Sequence, residues 1–532
     1  MKSSLSTRWH AADAARQTVL ERARLCASLT KPWILPPQGQ TADTRLPETY
    51  QSVGPLGVTN LEGRMLIALF PPDRPWFRLQ VASHLRYGED PAKVAIANRA
   101  LFVRELLVQS MLESGSSVSA GADNRRRGGG FRTAKRSALA NVLVTGDTLE
   151  QLTDDYRLKV FRRDQYIVQR DSSCDVLCMG VRERIDPYTL TDEQREAANI
   201  KADNDRDAYD RMEDIYTFCE WHPWSRTWVT RQEVKDVIIA ESEDAVAPMW
   251  PTAYELSPGE HYGRGFVELN LGDLRSVNEL ERRLLEFTAI ASKLLIAKDI
   301  SSQVRNEDLL KGPGEVVEGM RVSGGVVQDV AMLSLTHTPD FSVVSNTAVR
   351  KTQQLARAML METETTPRGE RVTAYQVQRV AMELEQSLGG VYSAIADEQQ
   401  IPLLRRTIYQ LRRDGMLTLN DNELGGVEIE ALTGIRALSM ANNQAALLNF
   451  VQTLAAIGPE ATARLNQSVL LDVLARYNNI DEPGLIRSEE EMRAEQARQM
   501  QQAMVAAAAQ KGIDTVGNIA ETVATQQGTA TP

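Results

Sequence analysis

Two long amphipathic segments with a glycine-rich stretch between them constrain the fold of this chain more than any other feature. The first covers residues 266–293 and the second about residues 342–361. Apolar side chains of the first recur at spacings of three and four residues, at Leu271, Leu274, Val277, Leu280 and Leu284. This period places them on one side of an α-helix. We therefore predict two long helices that bury apolar stripes against other elements or other chains.

The stretch between these helices, residues 294–335, has no helical period. Short valine-rich runs alternate there with glycine and proline, which is typical of brief strands and turns. The interrupting residues are Gly312, Pro313, Gly314, Gly319, Gly324 and Gly325. We predict a compact α+β insert.

Helical patterns also dominate much of the remaining chain. We expect helices over 1–30, over Leu61–Phe70 and over 92–113, and helical structure again over 430–475. The prolines at positions 71 and 72 should end the second of these, because proline cannot continue the hydrogen-bond ladder. A further long helix should begin at Thr373, with an apolar stripe at Val377, Val380, Leu384, Leu388, Val391 and Ile395.

Residues 156–260 differ, because they contain short runs of β-branched and aromatic residues such as 165–168 and 227–230. Within them, Thr191 and Gln194 form a capping box, which predicts the start of a charged helix over 191–214. The fold class is therefore α+β, mainly helical. At 532 residues, the chain is long enough for several subdomains, since single cores rarely exceed about 250–300 residues.

Composition restricts the possible functions. The chain carries 60 Lys and Arg against 71 Asp and Glu, a formal net charge of −11. Proteins that bind DNA tightly through its phosphates are usually basic, so this balance argues against a repressor or a packaging coat, but it does not exclude a protein past which DNA must slide. No run approaches the roughly 18 apolar residues of a membrane span, which predicts no membrane partner. The N-terminus lacks the apolar core of a signal peptide, which predicts that the chain stays in the cytosol.

Candidate metal sites are weak in this sequence. Its four cysteines include Cys174 and Cys178, which are spaced more widely than a usual zinc pair, so structural cysteines are the simpler interpretation. Asp203, Asp205 and Asp207 imitate the start of a calcium loop, but Ala208 occupies the position that requires glycine. We predict no metal and no cofactor.

Catalytic motifs are weaker still. Gly128–Gly130 followed by Lys135 lacks the spacing of a P-loop. There is no Gly-x-Ser-x-Gly elbow and no His-Glu-x-x-His motif, and the five histidines are scattered. We predict that the chain is not an enzyme.

Two loops carry concentrated positive charge. The Gly- and Ser-rich stretch 114–132 contains Arg125, Arg126 and Arg127, which could contact nucleic acid or an acidic partner, or form a solvated surface loop. The loop at 362–372 joins two long predicted helices and contains Arg368 and Arg371 among acidic residues. Its alternatives are a functional loop and an ordinary connection between helices.

Four ordered blocks of sequence resemble the portal, or head-to-tail connector, family of short-tailed, podovirus-type bacteriophages. Together they span about residues 50–405. The blocks are Tyr50-Gln-Ser-Val-Gly54 with Asn60-Leu61, Leu66-Ile-Ala-Leu-Phe-Pro71 and Trp76-Phe-Arg-Leu79; Tyr166-Ile-Val-Gln-Arg-Asp171; Tyr262-Gly-Arg-Gly265 with Leu271-Gly-Asp-Leu-Arg-Ser276; and Gly369-Glu-Arg-Val-Thr373 with Glu383-Leu-Glu-Gln-Ser-Leu-Gly-Gly-Val-Tyr392 and Pro402-Leu-Leu404.

The resemblance implies the portal fold, assembled as a dodecameric ring with wing, stem, clip and crown or barrel. Its parts would be 1–263 and 373–429 in the wing, 264–293 and 337–361 as stem helices, 294–336 as clip, 362–372 as tunnel loop, and 430–532 as crown or barrel with the C-terminal tail. The tunnel loop would narrow the channel. Arg368 would then be the first candidate for a contact with DNA and Arg371 the second.

The function implied by the resemblance is a ring-shaped channel at one capsid vertex for DNA packaging and ejection. Its partners would be further copies of the chain, double-stranded DNA, the terminase large subunit and tail adaptor proteins. Scaffolding protein, major capsid protein and internal core proteins would also contact it. The expected location is the virion, with assembly in the host cytoplasm. Two alternatives remain: a tail adaptor or internal core structural protein, and an enzyme such as a virion hydrolase.

Overall fold

A computed structural model describes most of the N-terminal four-fifths of the chain. The described residues are 4–40, 44–71, 76–81, 91–114, 130–200, 212–291, 295–300, 302–305, 307, 318, 321–323, 326–327, 330–333, 338–361, 374–388, 390–417, 427–431, 446–454, 456, 470–471 and 473–474. The chain forms two compact units, one of residues 1–80 with 102–437 and one of residues 81–101 with 438–532. No helix among the described residues is long and apolar enough to span a membrane.

The described helices of four or more residues are α1 Leu5–Ala15, α2 Gln17–Ser28, α3 Val53–Leu69, α4 Pro91–Ser114, α5 Phe131–Thr145, α6 Asp192–Ala197, α7 Phe266–Leu269, α8 Leu271–Ala291, α9 Thr338–Ala358, α10 Ala374–Leu388 and α11 Val391–Arg413. The described strands are β1 Phe77–Val81, β2 Asp147–Leu152, β3 Leu158–Phe161, β4 Tyr166–Arg170, β5 Val176–Ile185, β6 Glu213–His222, β7 Thr227–Val234, β8 Val237–Asp244, β9 Met249–Ala253, β10 Leu295–Lys298, β11 Val322–Ser323, β12 Val326–Val327, β13 Val330–Leu333 and β14 Val427–Ala431. The chain is thus α+β, and the predicted β-rich part begins slightly earlier than expected, at β2.

The larger unit contains two main sheets. β4 to β8 form a five-stranded antiparallel meander, and β3, β2 and β9 form a three-stranded sheet. Side chains of the meander alternate between two faces, as the two-residue period of a strand requires. One face carries Met179 and Cys219 into a core with Leu149 and Tyr262. The other carries Cys178 and neighbouring apolar residues onto α1.

The predicted N-terminal helix is interrupted. Arg16 lies between α1 and α2 and leaves the helical conformation. Its buried guanidinium donates hydrogen bonds to the backbone carbonyls of Arg163, Asp164 and Tyr166, at 2.7 and 3.0 Å for the first two. These bonds to a distant loop favour the break, and nothing in the local helical period indicates them.

Three further helices were predicted to be longer than they are. α6 has the predicted capping box, but it ends at Ala197, not near 214, because Asn199 adopts a positive φ and Ile200 turns into a small apolar core. The first long helix is interrupted between α7 and α8 at Asn270, whose side-chain amide donates to the carbonyl of Phe266. The helix predicted after Thr373 is divided into α10 and α11, since Gly390 has φ +89°.

The C-terminal prediction is wrong at its start. Residues 427–431 form strand β14, which pairs with β1, whereas we expected helix from 430. The side-chain amide of Gln80 donates to Glu430 across this pair at 2.9 Å. Among the described residues further along, 446–454 are helical as predicted.

α11 joins several parts of the larger unit. Its Gln400 donates to the carbonyl of Leu69 at 2.7 Å, and its Glu398 accepts from the backbone of Ala253 at 2.9 Å. Arg406, also buried, lies 3.1 Å from Asp244. α11 therefore connects the end of α3 with both main sheets.

Candidate functional site: a long helical hairpin and its anchor

The two long helices form an antiparallel pair. α8 leads into β10 and β13 leads into α9, and these two strands pair antiparallel, with Leu295 opposite Leu333. Near the other end of the pair, the Lys351 ammonium of α9 lies 2.6 Å from a carboxylate oxygen of Asp273 in α8. The start of α8 therefore lies beside the end of α9. The result is a helical hairpin with a small sheet at its tip.

The apolar side of this hairpin matches the predicted stripe. Leu274 and Val277 of α8 are fully buried, and Leu355 of α9 is only 2% exposed. Leu271, Leu280 and Leu284 are partly buried. The prediction that these residues share an apolar face is confirmed.

Other apolar side chains of the hairpin remain uncovered within one chain. Leu285 of α8 is 56% exposed, and Val343 and Val349 of α9 are exposed to a similar degree. Isolated exposed apolar residues are common on protein surfaces. These three side chains could become covered if another copy or a partner packs against the hairpin.

The outer side of α8 carries a network of alternating charges. Glu279 accepts hydrogen bonds from Arg282 at 2.7 and 3.0 Å and from Arg283 at 2.8 Å. These bonds lower the pKa of Glu279 to about 2. Glu286 also lies 3.0 Å from Arg282. The carboxylates on this side are thus already neutralised by arginines of the same helix.

The end of α9 is held by α3. The side-chain amide of Asn60 donates to the carbonyls of Met359 and Leu360, at 2.9 and 3.0 Å. Leu360 has φ +55°, a left-handed conformation that costs a non-glycine residue roughly 1–2 kcal/mol. Gly57, one helical turn before Asn60, packs against the Met359 side chain. These contacts fix the backbone where it leaves α9.

The same face of α3 also contacts α10. Arg64 is almost fully buried, and its guanidinium lies 3.1 Å from the carboxylate of Glu383. Gly57, Asn60 and Arg64 are spaced three and four residues apart, so they share one face of the helix. α3 therefore anchors both helices that border residues 362–373. Our sequence predictions missed this role, although the spacing of a glycine and two polar residues on an otherwise apolar helix was a usable signal.

Replacement of Gly57 by alanine should destabilise the larger unit. A β-carbon at Gly57 would lie 2.8 Å from Cγ and 2.9 Å from Cβ of the buried Met359. Such overpacking typically costs about 1–3 kcal/mol. Gly63→Ala is the matched control on the same helix, because its β-carbon meets nothing within 4 Å. We expect Gly63→Ala to be neutral or to stabilise by up to about 1 kcal/mol. Chemical unfolding followed by circular dichroism tests both, and equal effects would contradict the packing argument.

The predicted basic residues lie outside the described part of the chain. This holds for Arg368 and Arg371 and for Arg125, Arg126 and Arg127, as it does for the acidic triplet beginning at Asp203. Their roles therefore remain predictions. The structure does describe the helices on either side of the two basic loops: α9 and α10 around one, α4 and α5 around the other.

Lys135, which follows the glycine triplet, is a core residue. Its ammonium lies 2.6 Å from the Glu150 carboxylate, and both side chains are fully buried. The rings of Phe70 and Trp250 lie 5.1 and 5.9 Å from the same ammonium. Burial lowers the pKa of Lys135 and raises the pKa of Glu150. The charge of each side chain partly opposes the pKa shift of the other. Lys135 therefore forms an internal ion pair and cannot contact a phosphate group at the surface, as the lysine of a P-loop would.

The cysteines do not converge. Cys178 and Cys219 lie on paired strands but point to opposite faces of the meander, into different cores. Burial raises the pKa of each thiol to about 12. Across the residues that the structure describes, no cluster of three potential metal ligands occurs. These cysteines pack as apolar core residues.

Comparison with known proteins gives a consistent result over nearly the whole chain. A family model described as bacteriophage head to tail connecting protein matches residues 2–486. The portal protein of Enterobacteria phage T3 is 28% identical over 518 residues, which are 95% of this chain and 92% of that protein. The portal protein of Escherichia phage T7 is 28% identical over 494 residues, 90% and 88% of the two chains. The portal protein of Enterobacteria phage SP6 is 25% identical over 507 residues, 94% and 93%.

Proposed function

The chain belongs to the bacteriophage head to tail connecting protein family, and from this membership we propose that it is the portal subunit of a short-tailed DNA phage. In this role it forms the channel at one capsid vertex through which DNA is packaged and later ejected. The observation that carries the proposal is the family match across residues 2–486, together with relatives named portal proteins that align over about nine-tenths of the chain. The predicted family is thereby confirmed.

We propose that the chain assembles as a dodecameric ring in which the hairpin of α8 and α9 is the stem. Three exposed apolar residues on the hairpin, Leu285, Val343 and Val349, support contacts between neighbouring copies. Obligate interfaces between subunits are large and apolar, so such residues become buried on assembly. The insert at 294–336 is then the clip, residues 1–263 and 373–429 form the wing, and 430–532 form the crown or barrel.

Residues 362–372 are proposed as the tunnel loop. The contacts of Asn60 with the end of α9 and of Arg64 with Glu383 in α10 support this assignment, because one helix then contacts both helices that border the loop. Arg368 is the proposed contact to DNA phosphates, and Arg371 is the second candidate. Because the rest of the chain is acidic, it should not bind DNA tightly, and DNA can move through the ring. A few arginine contacts in the tunnel loop could then hold the DNA at one position.

Arg368→Ala tests the tunnel loop directly. Rings of this variant should assemble and admit DNA, but filled particles should lose DNA because a ring of phosphate contacts is missing. Retention is measured as DNase-resistant DNA in purified particles over time. Arg45→Ala is the control, since Arg45 is 86% exposed and pairs only with nearby Glu48 among the described residues. Retention equal to that of the control would refute a role for Arg368.

The proposed partners follow from the position of a portal. The terminase large subunit supplies ATP chemistry and pushes DNA in, so we propose a structural role for this chain and no enzymatic one. Tail adaptor proteins then seal the channel at the clip. Scaffolding protein, major capsid protein and internal core proteins contact the ring within the head, and Arg125–Arg127 is proposed to contact one acidic partner or nucleic acid. Assembly takes place in the host cytoplasm.

A further inference from the structure

One buried face of the three-stranded sheet is polar. The register pairs Thr148 of β2 with Thr252 of β9 and places Glu150 opposite Trp250. Directly opposite residues of paired strands point to the same face, as do residues two positions apart on one strand. All four side chains are buried, and we call these four residues the polar sheet face. Their polar atoms need hydrogen-bond partners, because an unpaired group in a protein interior lowers stability.

Two helices, α5 and α11, pack against this sheet. α5 provides Lys135, whose ammonium lies 2.6 Å from Oε2 of Glu150. The opposite face of the sheet is already covered, because Leu149 and Met249 pack there against the five-stranded meander. The two helices therefore lie over the polar sheet face.

Gln399 lies on the side of α11 that faces the sheet. It is fully buried, and it precedes Arg406 and Gln410 by seven and eleven residues, so the three side chains share one side of the helix. Arg406 donates to the carbonyl of Val246, shortly before β9, at 2.9 Å. Gln410 donates to the carbonyl of Thr153, directly after β2, at 3.0 Å. This side of α11 is thus directed toward β2 and β9.

Several polar atoms of these residues are unpaired. They are the hydroxyls of Thr148 and Thr252, Oε1 of Glu150, the indole nitrogen of Trp250 and both amide atoms of Gln399, none of which has a hydrogen-bond partner among the described residues. The set contains donors and acceptors, yet no two of them lie within hydrogen-bond distance of each other. Most buried polar atoms in folded proteins do have a partner. The cluster therefore indicates a polar occupant between the sheet and α11.

We infer that ordered water molecules lie between the polar sheet face and Gln399 and bind these atoms. Water both donates and accepts hydrogen bonds, so it satisfies the Glu150 carboxylate and the Trp250 indole alike, and a buried water usually makes about three such bonds. A metal cation suits this space poorly, because the Lys135 ammonium would repel it, and an anion would be repelled by the Glu150 carboxylate. The mixed set of donors and acceptors therefore favours water.

The water completes the solvation of the buried ion pair. Lys135 binds one oxygen of Glu150, and the other oxygen is among the unpaired atoms. A buried ion pair is favourable only when further hydrogen bonds satisfy its remaining lone pairs and protons. The inferred water supplies such a bond. The site lies within one folded chain, so the inference does not depend on the portal function.

Thr252→Val tests the inference by the direction of its effect on stability. Valine has nearly the shape of threonine but lacks the hydroxyl. If that hydroxyl binds water, its loss should raise the equilibrium constant for unfolding by about 2- to 10-fold, which corresponds to one hydrogen bond. If the hydroxyl is unpaired, its removal should instead lower this constant, and the inference would be overturned. Urea unfolding followed by circular dichroism measures the constant, and Thr148→Val repeats the test on β2.

Thr145→Val is the matched control. Thr145 is also buried, and its hydroxyl donates to the carbonyl of Asn141 at 2.8 Å. The control therefore shows the effect of losing a hydrogen bond that the protein itself provides. We expect Thr252→Val to change the equilibrium constant in the same direction and to a similar degree, and no change at Thr252 would contradict the inference.

A cryo-electron microscopy map of the wild-type protein identifies the occupant, at a resolution that shows ordered water elsewhere in the protein core. We expect density between Gln399 and the polar sheet face, within hydrogen-bond distance of both. Empty space there, a direct bond between the hydroxyls of Thr148 and Thr252, or density coordinated as a metal ion would each overturn the inference.

Discussion

Lys135→Met should lower the free energy of unfolding of the larger unit by about 3–5 kcal/mol, the usual cost of removing one partner of a buried ion pair. The substitution leaves the Glu150 carboxyl fully buried without its cation, and one of its oxygens already has no hydrogen-bond partner among the described residues. Methionine fills most of the volume of the lysine side chain. The expected loss of stability therefore comes mainly from the missing positive charge and less from poorer packing. Urea unfolding followed by tryptophan fluorescence measures it, since Trp250 lies beside Lys135.

Lys159→Met is the matched control for this prediction. Lys159 pairs with Glu183 on the surface, where the lysine side chain is 44% exposed, and such pairs contribute about 0–1 kcal/mol. Equal destabilisation by the two variants would contradict the account of the buried pair.

The deficit of Lys135→Met should also depend on pH. Burial raises the pKa of Glu150, and removal of Lys135 removes the group that opposes this shift. A carboxyl whose folded pKa lies above its unfolded value of about 4.3 destabilises the fold as pH rises through that interval. The deficit should therefore be largest near neutral pH and should narrow as pH falls toward 4.3. If the stability lost through Lys135→Met instead increased as the pH falls, a titrating group other than Glu150 would determine the pH dependence.

Leu285→Glu should abolish ring assembly while leaving the chain folded. Leu285 is 56% exposed in one chain, so a charge there costs little before assembly. In a ring, the same charge would be buried at every subunit interface without a partner, and burial of an unpaired charge is strongly unfavourable. Size-exclusion chromatography with light scattering measures assembly, and thermal unfolding by circular dichroism checks the fold.

Leu177→Glu controls for a general effect of surface charge. Leu177, on β5, is a leucine of similar exposure at 45%, and it lies outside the hairpin. Rings should form from this variant as from the wild type. Normal rings from Leu285→Glu would show that this side of α8 is not an interface.

The sequence predicted those parts of the fold that depend on local period. The apolar stripe at Leu274 and Val277 recurs at helical spacing, and both residues are buried as expected. The strands of the meander were visible as β-rich runs, and the capping box at Thr191 forms with both of its hydrogen bonds. Each of these signals is contained within a few neighbouring residues.

The misplaced boundaries have tertiary causes. The first helix is interrupted at Arg16, whose side chain donates hydrogen bonds to backbone carbonyls about 150 positions away. Strand β14 is stabilised by its pairing with β1, which lies far from it in the sequence. For the candidate site, sequence reasoning identified the hairpin but not the anchor on α3. The spacing of Gly57, Asn60 and Arg64 indicates a contact face on α3, but the partners of Asn60 and Arg64 lie some 300 positions away and are identified only by the folded structure.

Electron microscopy of the purified protein, with two-dimensional class averages, tests the central claim most directly. The account predicts rings of about twelve-fold symmetry with an open central channel and a narrow stem. A closed ring of another order without a channel would contradict the portal function and favour a tail adaptor or an internal core protein.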